Sequence, residues 1–222
     1  NRMVRETAEA LAAAATDTSL RVLVLTGAGS TFCPGADLNW VADGGETAPE
    51  DRLSPDHFRI PQLLHEMPAI TIAAVNGACA GAAMGWACAC DLRFATRSAR
   101  FNTAFLDVGV AGDMALPWSL PRLLGASKAR ELMLLPDKFD AAEAQRIGLV
   151  ARVFDDDTFT AQVEAAMARG ELRAVVCTST LDMGIDWGDV DLVIQLAAPK
   201  GASRMVQRIG RANHRLDEPS RA

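Results

Sequence analysis

Three places in the chain hold residues whose types and spacing could do chemistry. The first is GAGSTFCPGADLNW, residues 27–40, which follows the strand-like run RVLVLT. The second is AAVNGACAGAAMG, residues 73–85, which repeats the arrangement: an apolar strand, a glycine turn, then small residues opening a helix. Small residues let a ligand approach the main chain, and a helix N-terminus adds a partial positive charge. Two such loops can each aim one backbone N–H at a shared point. Convergent amides of this kind stabilise negative charge developing on a carbonyl oxygen, and removing one donor typically costs ~3 kcal/mol of transition-state stabilisation. The third place is Asp113, in VGVAGDMALPW, a carboxylate flanked by apolar residues. Desolvation raises the pKa of such a group, which suits a proton shuttle. The competing role for Asp113 is to cap a helix beginning near Leu116.

Phosphate chemistry fits the first loop poorly. A Walker A loop needs a lysine after its last glycine, and none follows Gly35. In a dinucleotide fingerprint Gly27 and Gly29 match, but Phe32 stands at the third glycine, where close helix–strand packing needs a small residue. Five cysteines with Cys88 and Cys90 as C-x-C, and no C-x-x-C pair, point to reduced buried thiols rather than a metal site. His57 and His65 fall on a helical stretch without a catalytic partner. Asp37 and Asp91 read as structural hydrogen-bonders and Asp107 as a surface residue. Trp40, Trp86 and Trp118 read as core or pocket wall.

The elements that must position these residues alternate. MVRETAEALAAAA has helical spacing at Val4, Ala8, Leu11, Ala12 and Ala15. RVLVLT and AITIAAV are continuous apolar runs, as expected of strands covered on both faces. FRIPQLLHEM, AGAAMGWACAC, ASKARELMLL, DAAEAQRIG and DTFTAQVEAAMARG read as helices, and LRFAT, RFNTA and LVARVF as extended pieces. Asp140 and Glu143 have capping-box spacing, and Gly148 stands where that helix ends. The class is α/β. The 222 residues are half hydrophobic, enough for a large core, and a formal charge of −6 argues against wholesale nucleic-acid binding. No apolar run approaches ~18 residues, so no membrane partner is expected and a cytoplasmic location is.

RVLVLTGAGSTFCPGADL, AAVNGACAGAAMGWACACDLRFAT and RFNTAFLDVGVAGDMALPWSLPRLLGASKARELMLLPDKFDAAEAQRIGLVARV together resemble the crotonase family of enoyl-CoA hydratases and isomerases, over residues 1–168. The resemblance implies a β-β-α superhelix, truncated here at both ends, that assembles as a trimer and binds acyl-CoA thioesters as enolates. It implies the backbone N–H groups of Ala36 and Ala82 as oxyanion donors, with Ala36, Asp37, Leu38, Gly81 and Ala82 lining the substrate. No metal is implied, and no cofactor is bound, the CoA thioester being substrate. The family's hydratases use two glutamates, and the matching positions hold Gly85 and Phe105. Isomerases can carry an Asp at position 113, so Asp113 is the catalytic candidate and isomerisation is favoured over hydration.

After Gly170 the wording changes. TSTLDMGIDWGDVDLVIQ and QRIGRANHR, within residues 169–222, resemble motifs V and VI of a superfamily 2 DEAD/DEAH-box helicase, closest to the large helicase-related (Lhr) type. The resemblance implies a partial RecA-like α/β segment in which Gln207, Arg208 and Arg211 would face a nucleotide. A Walker A lysine and a Walker B pair are missing, so helicase activity is not expected of this chain alone. Weak, salt-dependent nucleic-acid contact through Arg204, Arg208, Arg211 and Arg215 is the alternative for this segment. A chimera without catalysis is the alternative for the whole.

Overall fold

The computed structural model describes residues 2–36, 52–168, 174–177 and 192–195. Helix α1 (Arg2–Thr16) leads into strand β1 (Val22–Thr26) and the short β2 (Thr31–Cys33). A 3-10 turn at Pro55–Arg59 precedes α2 (Ile60–His65). Then come β3 (Ile70–Val75), β4 (Ala78–Ala80) and α3 (Ala82–Ala89). Strands β5 (Leu92–Thr96) and β6 (Arg100–Asn102) are followed by α4 (Leu116–Leu134), which is kinked at Gly125 with φ 76°. The chain continues through β7 (Phe139–Asp140), α5 (Ala141–Arg146), β8 (Arg152–Phe154) and α6 (Phe159–Ala168), then β9 (Ala174–Cys177) and β10 (Leu192–Gln195).

Two sheets result. One is wholly parallel, in the order β10-β9-β1-β3-β5-β8; the other is β2-β4-β6-β7, with only β7 antiparallel. Each pair β1/β2, β3/β4 and β5/β6 therefore gives one strand to each sheet. Parallel stacking of these pairs, with α3 and α4 after the second and third, is the β-β-α superhelix that the sequence implies. Strand β1 pairs with β9 at Leu25↔Val176, so the first sheet runs on across the boundary expected at residue 168.

Sequence explains most of the elements. Val22, Leu23, Val24 and Leu25 are all buried, as are Ile72, Ala73, Ala74 and Val75, as strands of a parallel sheet covered on both faces must be. Helix α3 is built from small residues and is buried from Ala83 to Ala89. On α1 the buried stripe is Thr7, Ala8, Leu11 and Ala14; Ala12, expected inside, is exposed, because the helix turns its Thr7 edge rather than its Ala12 edge to the core. The Asp140 side chain accepts from the Glu143 N–H at 2.8 Å, and Gly148 takes φ 83° where α5 ends. Arg93, buried on β5, closes the other end of α3. It donates to the Cys90 and Leu149 carbonyls, each at 2.6 Å, and so places a cation where the helix dipole is negative. Among the described residues no helix is long and apolar enough to cross a membrane.

Candidate functional site

The two glycine loops lie side by side because their strands pair. Strand β2 runs parallel to β4, Thr31 opposite Ala78 and Cys33 opposite Cys79, with a register irregularity between them. Space dictates glycine here: a Cβ at Gly27 would meet the Thr31 carbonyl oxygen at 1.9 Å, and one at Gly77 would meet the Ser30 carbonyl oxygen at 1.9 Å. Asn76 ties the loops together. Its Nδ2 donates to the carbonyls of Gly27 (3.0 Å) and Gly29 (2.8 Å), and its Oδ1 accepts from the Gly27 N–H (3.0 Å).

Further along, Gly35 (φ 96°) packs over the Ala80 carbonyl, which a Cβ would approach to 3.1 Å. Gly81 (φ 57°) is the N-cap of α3, and its N–H donates to the Asn102 carbonyl at 3.0 Å. Ala36 and Ala82 each follow one of these glycines, at the ends of neighbouring strands. No described acceptor takes either amide. Ala82, the first residue of α3, is half-buried, and Ala36 is exposed. The remaining expected site residues, Asp37, Leu38, Gln207, Arg208 and Arg211, lie outside the described residues, as does Trp40.

Asp113 sits on the loop before α4. The N-cap of α4 is Ala115, in the left-handed region at φ 57°, and no side chain caps it. It is the main-chain carbonyl of Asp113 that closes the turn, accepting from the Leu116 N–H at 2.9 Å. The carboxylate is thus not used as a helix cap. Among the described residues it has neither a hydrogen-bond nor an ion-pair partner. It is solvent-accessible, yet surrounded closely enough that desolvation alone raises it above the usual carboxyl range.

The loop meets α3 at Gly85, where a Cβ would strike the Met114 carbonyl oxygen at 2.2 Å. Gly85 lies three residues beyond Ala82, roughly 4.5 Å along the helix axis and on the same side. Asp113 is therefore carried on a loop that touches α3 within one turn of the Ala82 amide. Gly85 and Phe105, which the resemblance sets at the hydratase glutamate positions, carry no carboxylate, and Phe105 is buried.

Other candidates separate from this cluster. Asp91 is structural: its carboxylate accepts from the Thr71 N–H (2.8 Å) and hydroxyl (3.0 Å). His57 Nδ1 accepts from the Ser54 N–H at 2.9 Å. Trp118, expected in the core or a pocket wall, is instead 44% exposed, with the Arg122 guanidinium 4.0 Å above its ring and His65 edge-on at 4.9 Å. The thiols of Cys88 and Cys90 are pushed up to about 12 by burial, which keeps them protonated and unreactive. Two residues have roles that sequence reasoning did not assign. Asn76 was legible only as half of an Asn-Gly turn. Gly85 had one signal, an isolated glycine inside a helical run.

Residues 1–176 match the enoyl-CoA hydratase/isomerase family, and residues 145–215 match the helicase conserved C-terminal domain. The chain is 38% identical over 161 residues to a 1,2-epoxyphenylacetyl-CoA isomerase of Escherichia coli strain K12, covering 71% of this chain and 62% of that protein. It is 35% identical over 170 residues to a 4-chlorobenzoyl coenzyme A dehalogenase of an Arthrobacter species, covering 73% and 60%. Among solved structures, an enoyl-CoA hydratase of Bacillus anthracis superposes with TM-score 0.67 at 29% identity, over 77% of this chain and 66% of that one. An enoyl-CoA hydratase/isomerase of Pseudoalteromonas atlantica T6c superposes with TM-score 0.66 at 32% identity, over 75% and 65%. The chain spans about three fifths of the length of these two curated relatives.

Proposed function

Because the chain belongs to the enoyl-CoA hydratase/isomerase family by its match over residues 1–176, we propose that it acts on an acyl-CoA thioester through an enolate, and as an isomerase rather than a hydratase. The thioester oxygen sits between the N–H groups of Ala36 and Ala82. The Asp113 carboxylate takes a proton from C2 of a 3-enoyl thioester. The released electron pair moves toward the carbonyl, and the negative charge on oxygen is held by the two amides. Asp113 then returns the same proton to C4, and the double bond now lies between C2 and C3. No water is consumed, and Asp113 ends as it began.

The observation that carries this reading is the state of the carboxylates. Asp113 is partly desolvated, unpartnered among the described residues and raised above its ordinary pKa, while positions 85 and 105 offer no carboxylate to activate water. The test is Asp113→Asn. The variant is expected to bind an acyl-CoA as the parent does, read by ultraviolet difference absorbance of the polarised thioester, and to lose turnover of a 3-enoyl-CoA. Undiminished turnover would remove Asp113 from the mechanism.

Family membership also supports a trimer-type homo-oligomer, which sedimentation would read directly. For the C-terminal segment, the helicase match at residues 145–215 favours a second reading: weak nucleic-acid contact without ATPase activity, through an Lhr-type remnant. Salt-sensitive retention on single-stranded DNA is the expected result, and passage through such a column at low salt would dismiss it.

A further inference from the structure

Resting on the reaction proposed for Asp113, we infer that Gly85 is a positioning residue: its missing side chain gives the Asp113 loop a seat directly on helix α3, and that seat fixes where the carboxylate points. Gly85 is not one of the glycines with positive φ, so its backbone conformation makes no demand for glycine. It lies inside α3, where alanine would form the helix better. What requires glycine is space. A Cβ at position 85 would meet Met114 at 2.2 Å on its carbonyl oxygen, 2.7 Å on its Cβ and 3.0 Å on its carbonyl carbon. Two of these three atoms are main chain, which no rotamer change can move aside.

The loop seated there is unusual in itself. Met114 and Ala115 hold φ 45° and 57°, left-handed values that L side chains rarely adopt. Such strain persists only where the surroundings over-determine it, and it gathers at functional sites. On the other side of Asp113, Gly112 at φ 103° packs among Pro117, Met133 and Phe105, which a Cβ would approach to 3.3, 3.4 and 3.6 Å. Asp113 is therefore clamped between two fixed residues: Gly112 against the α4 side and Met114 against α3. Filling position 85 pushes one jaw away. Relaxing the 2.2 Å contact to the ordinary 3.4 Å withdraws the loop by about 1 Å, a displacement of a reacting group that typically costs on the order of 100-fold in rate.

The experiment compares Gly85→Ala, Gly85→Ala/Met114→Gly and, as a control, Ala87→Gly, which weakens the same helix away from the loop. Each is read for kcat and KM on a 3-enoyl-CoA and for the Asp113 carboxyl titration by carbon-13 NMR. The double variant removes the Met114 Cβ contact and the left-handed strain, so its loop withdraws at less cost to folding than in the single variant. The expected result is kcat down by about 100-fold with KM nearly unchanged in both variants that carry Gly85→Ala. Their Asp113 carboxyl should also titrate closer to the ordinary range, while Ala87→Gly leaves both readouts as in the parent. An Asp113 titration and kcat that stay at parental values in the Gly85→Ala variants would overturn the inference. Absence of turnover in the parent would sink the reaction assigned to Asp113 instead, and the titration would still report whether Gly85 seats the loop.

Discussion

Replacing Asn76 by alanine removes a side chain that joins both glycine loops, and its cost can be worked from the contacts. Three hydrogen bonds are lost. Two, to the N–H and carbonyl of Gly27, are partly buried, and the third, to the Gly29 carbonyl, is exposed. At about 1 kcal/mol for each partly buried bond and about 0.5 for the exposed one, the loss is about 2–3 kcal/mol, since water re-solvates the exposed carbonyl more readily than the Gly27 amide. With a urea slope near 2 kcal/mol per molar, the unfolding midpoint falls by about 1 M or slightly more. The assay is urea unfolding followed by tryptophan fluorescence. Asn76→Asp sharpens it. The aspartate keeps the acceptor for the Gly27 N–H but turns a carboxylate oxygen toward two carbonyls, so it is expected to be no more stable than the alanine variant at neutral pH. Because Asn76 holds the loops that lead to Ala36 and Ala82, both variants should also polarise a bound thioester less. A midpoint shift below about 0.2 M for alanine, or an aspartate variant as stable as the parent, would refute the bridging role.

Three further outcomes are expected. Asp113 is raised in the fold, so ionising it costs stability as pH rises from the ordinary carboxyl range to the raised value; Asp113→Asn should gain on the parent across that window and hold a constant advantage above it, as thermal unfolding at stepped pH would show. Glu164 is pushed up to about 7 by burial, and one of its carboxylate oxygens is buried without a partner among the described residues. Glu164→Gln should match the parent below about pH 4 and pull ahead up to about pH 7. The gain, discounted for the carboxyl's partial exposure, is about 1 kcal/mol or roughly 2–4 °C in Tm. Arg93→Met should cost about 3 kcal/mol in urea unfolding, because it strips charged donors from the buried Cys90 and Leu149 carbonyls.

The parts of this molecule that sequence made legible are those set by short-range physics. VLVLT and ITIAAV had to be covered strands because no polar residue breaks their apolar runs except threonine. Asp140 could be read as a cap because its partner is three residues away. The two glycine loops were legible for the same reason: each follows its own strand. What escaped depends on distant neighbours. Asn76 reaches residues 47 and 49 positions earlier, and nothing in the dipeptide Asn-Gly announces that. The left-handed pair Met114–Ala115 carries no glycine, so local propensity speaks against it; Met114 packs directly on the bare backbone of α3 at Gly85. Trp118 looked like core by composition, but the helix face that carries it turns toward Arg122 and His65 at the surface.

The two family matches overlap on residues 145–176, and the fold gives a physical reason why one stretch can satisfy both. That stretch is the unit β8, α6 and the start of β9: a strand, a crossing helix and a parallel strand. A parallel sheet asks little of an incoming strand beyond an apolar run of about four residues and a helix that returns it in the same direction. AVVC meets that demand on the edge of β1, and LVIQ meets it again on the edge of AVVC with Leu192 opposite Ala174. The contrast with the site is informative. An edge strand is held by backbone pairing that many sequences can supply, whereas Gly27, Gly77 and Gly85 sit where a Cβ would strike main chain and Asn76 is held by three hydrogen bonds. Change at the sheet edge is therefore expected to disturb the loops that lead to Ala36, Ala82 and Asp113 less than change at those four positions.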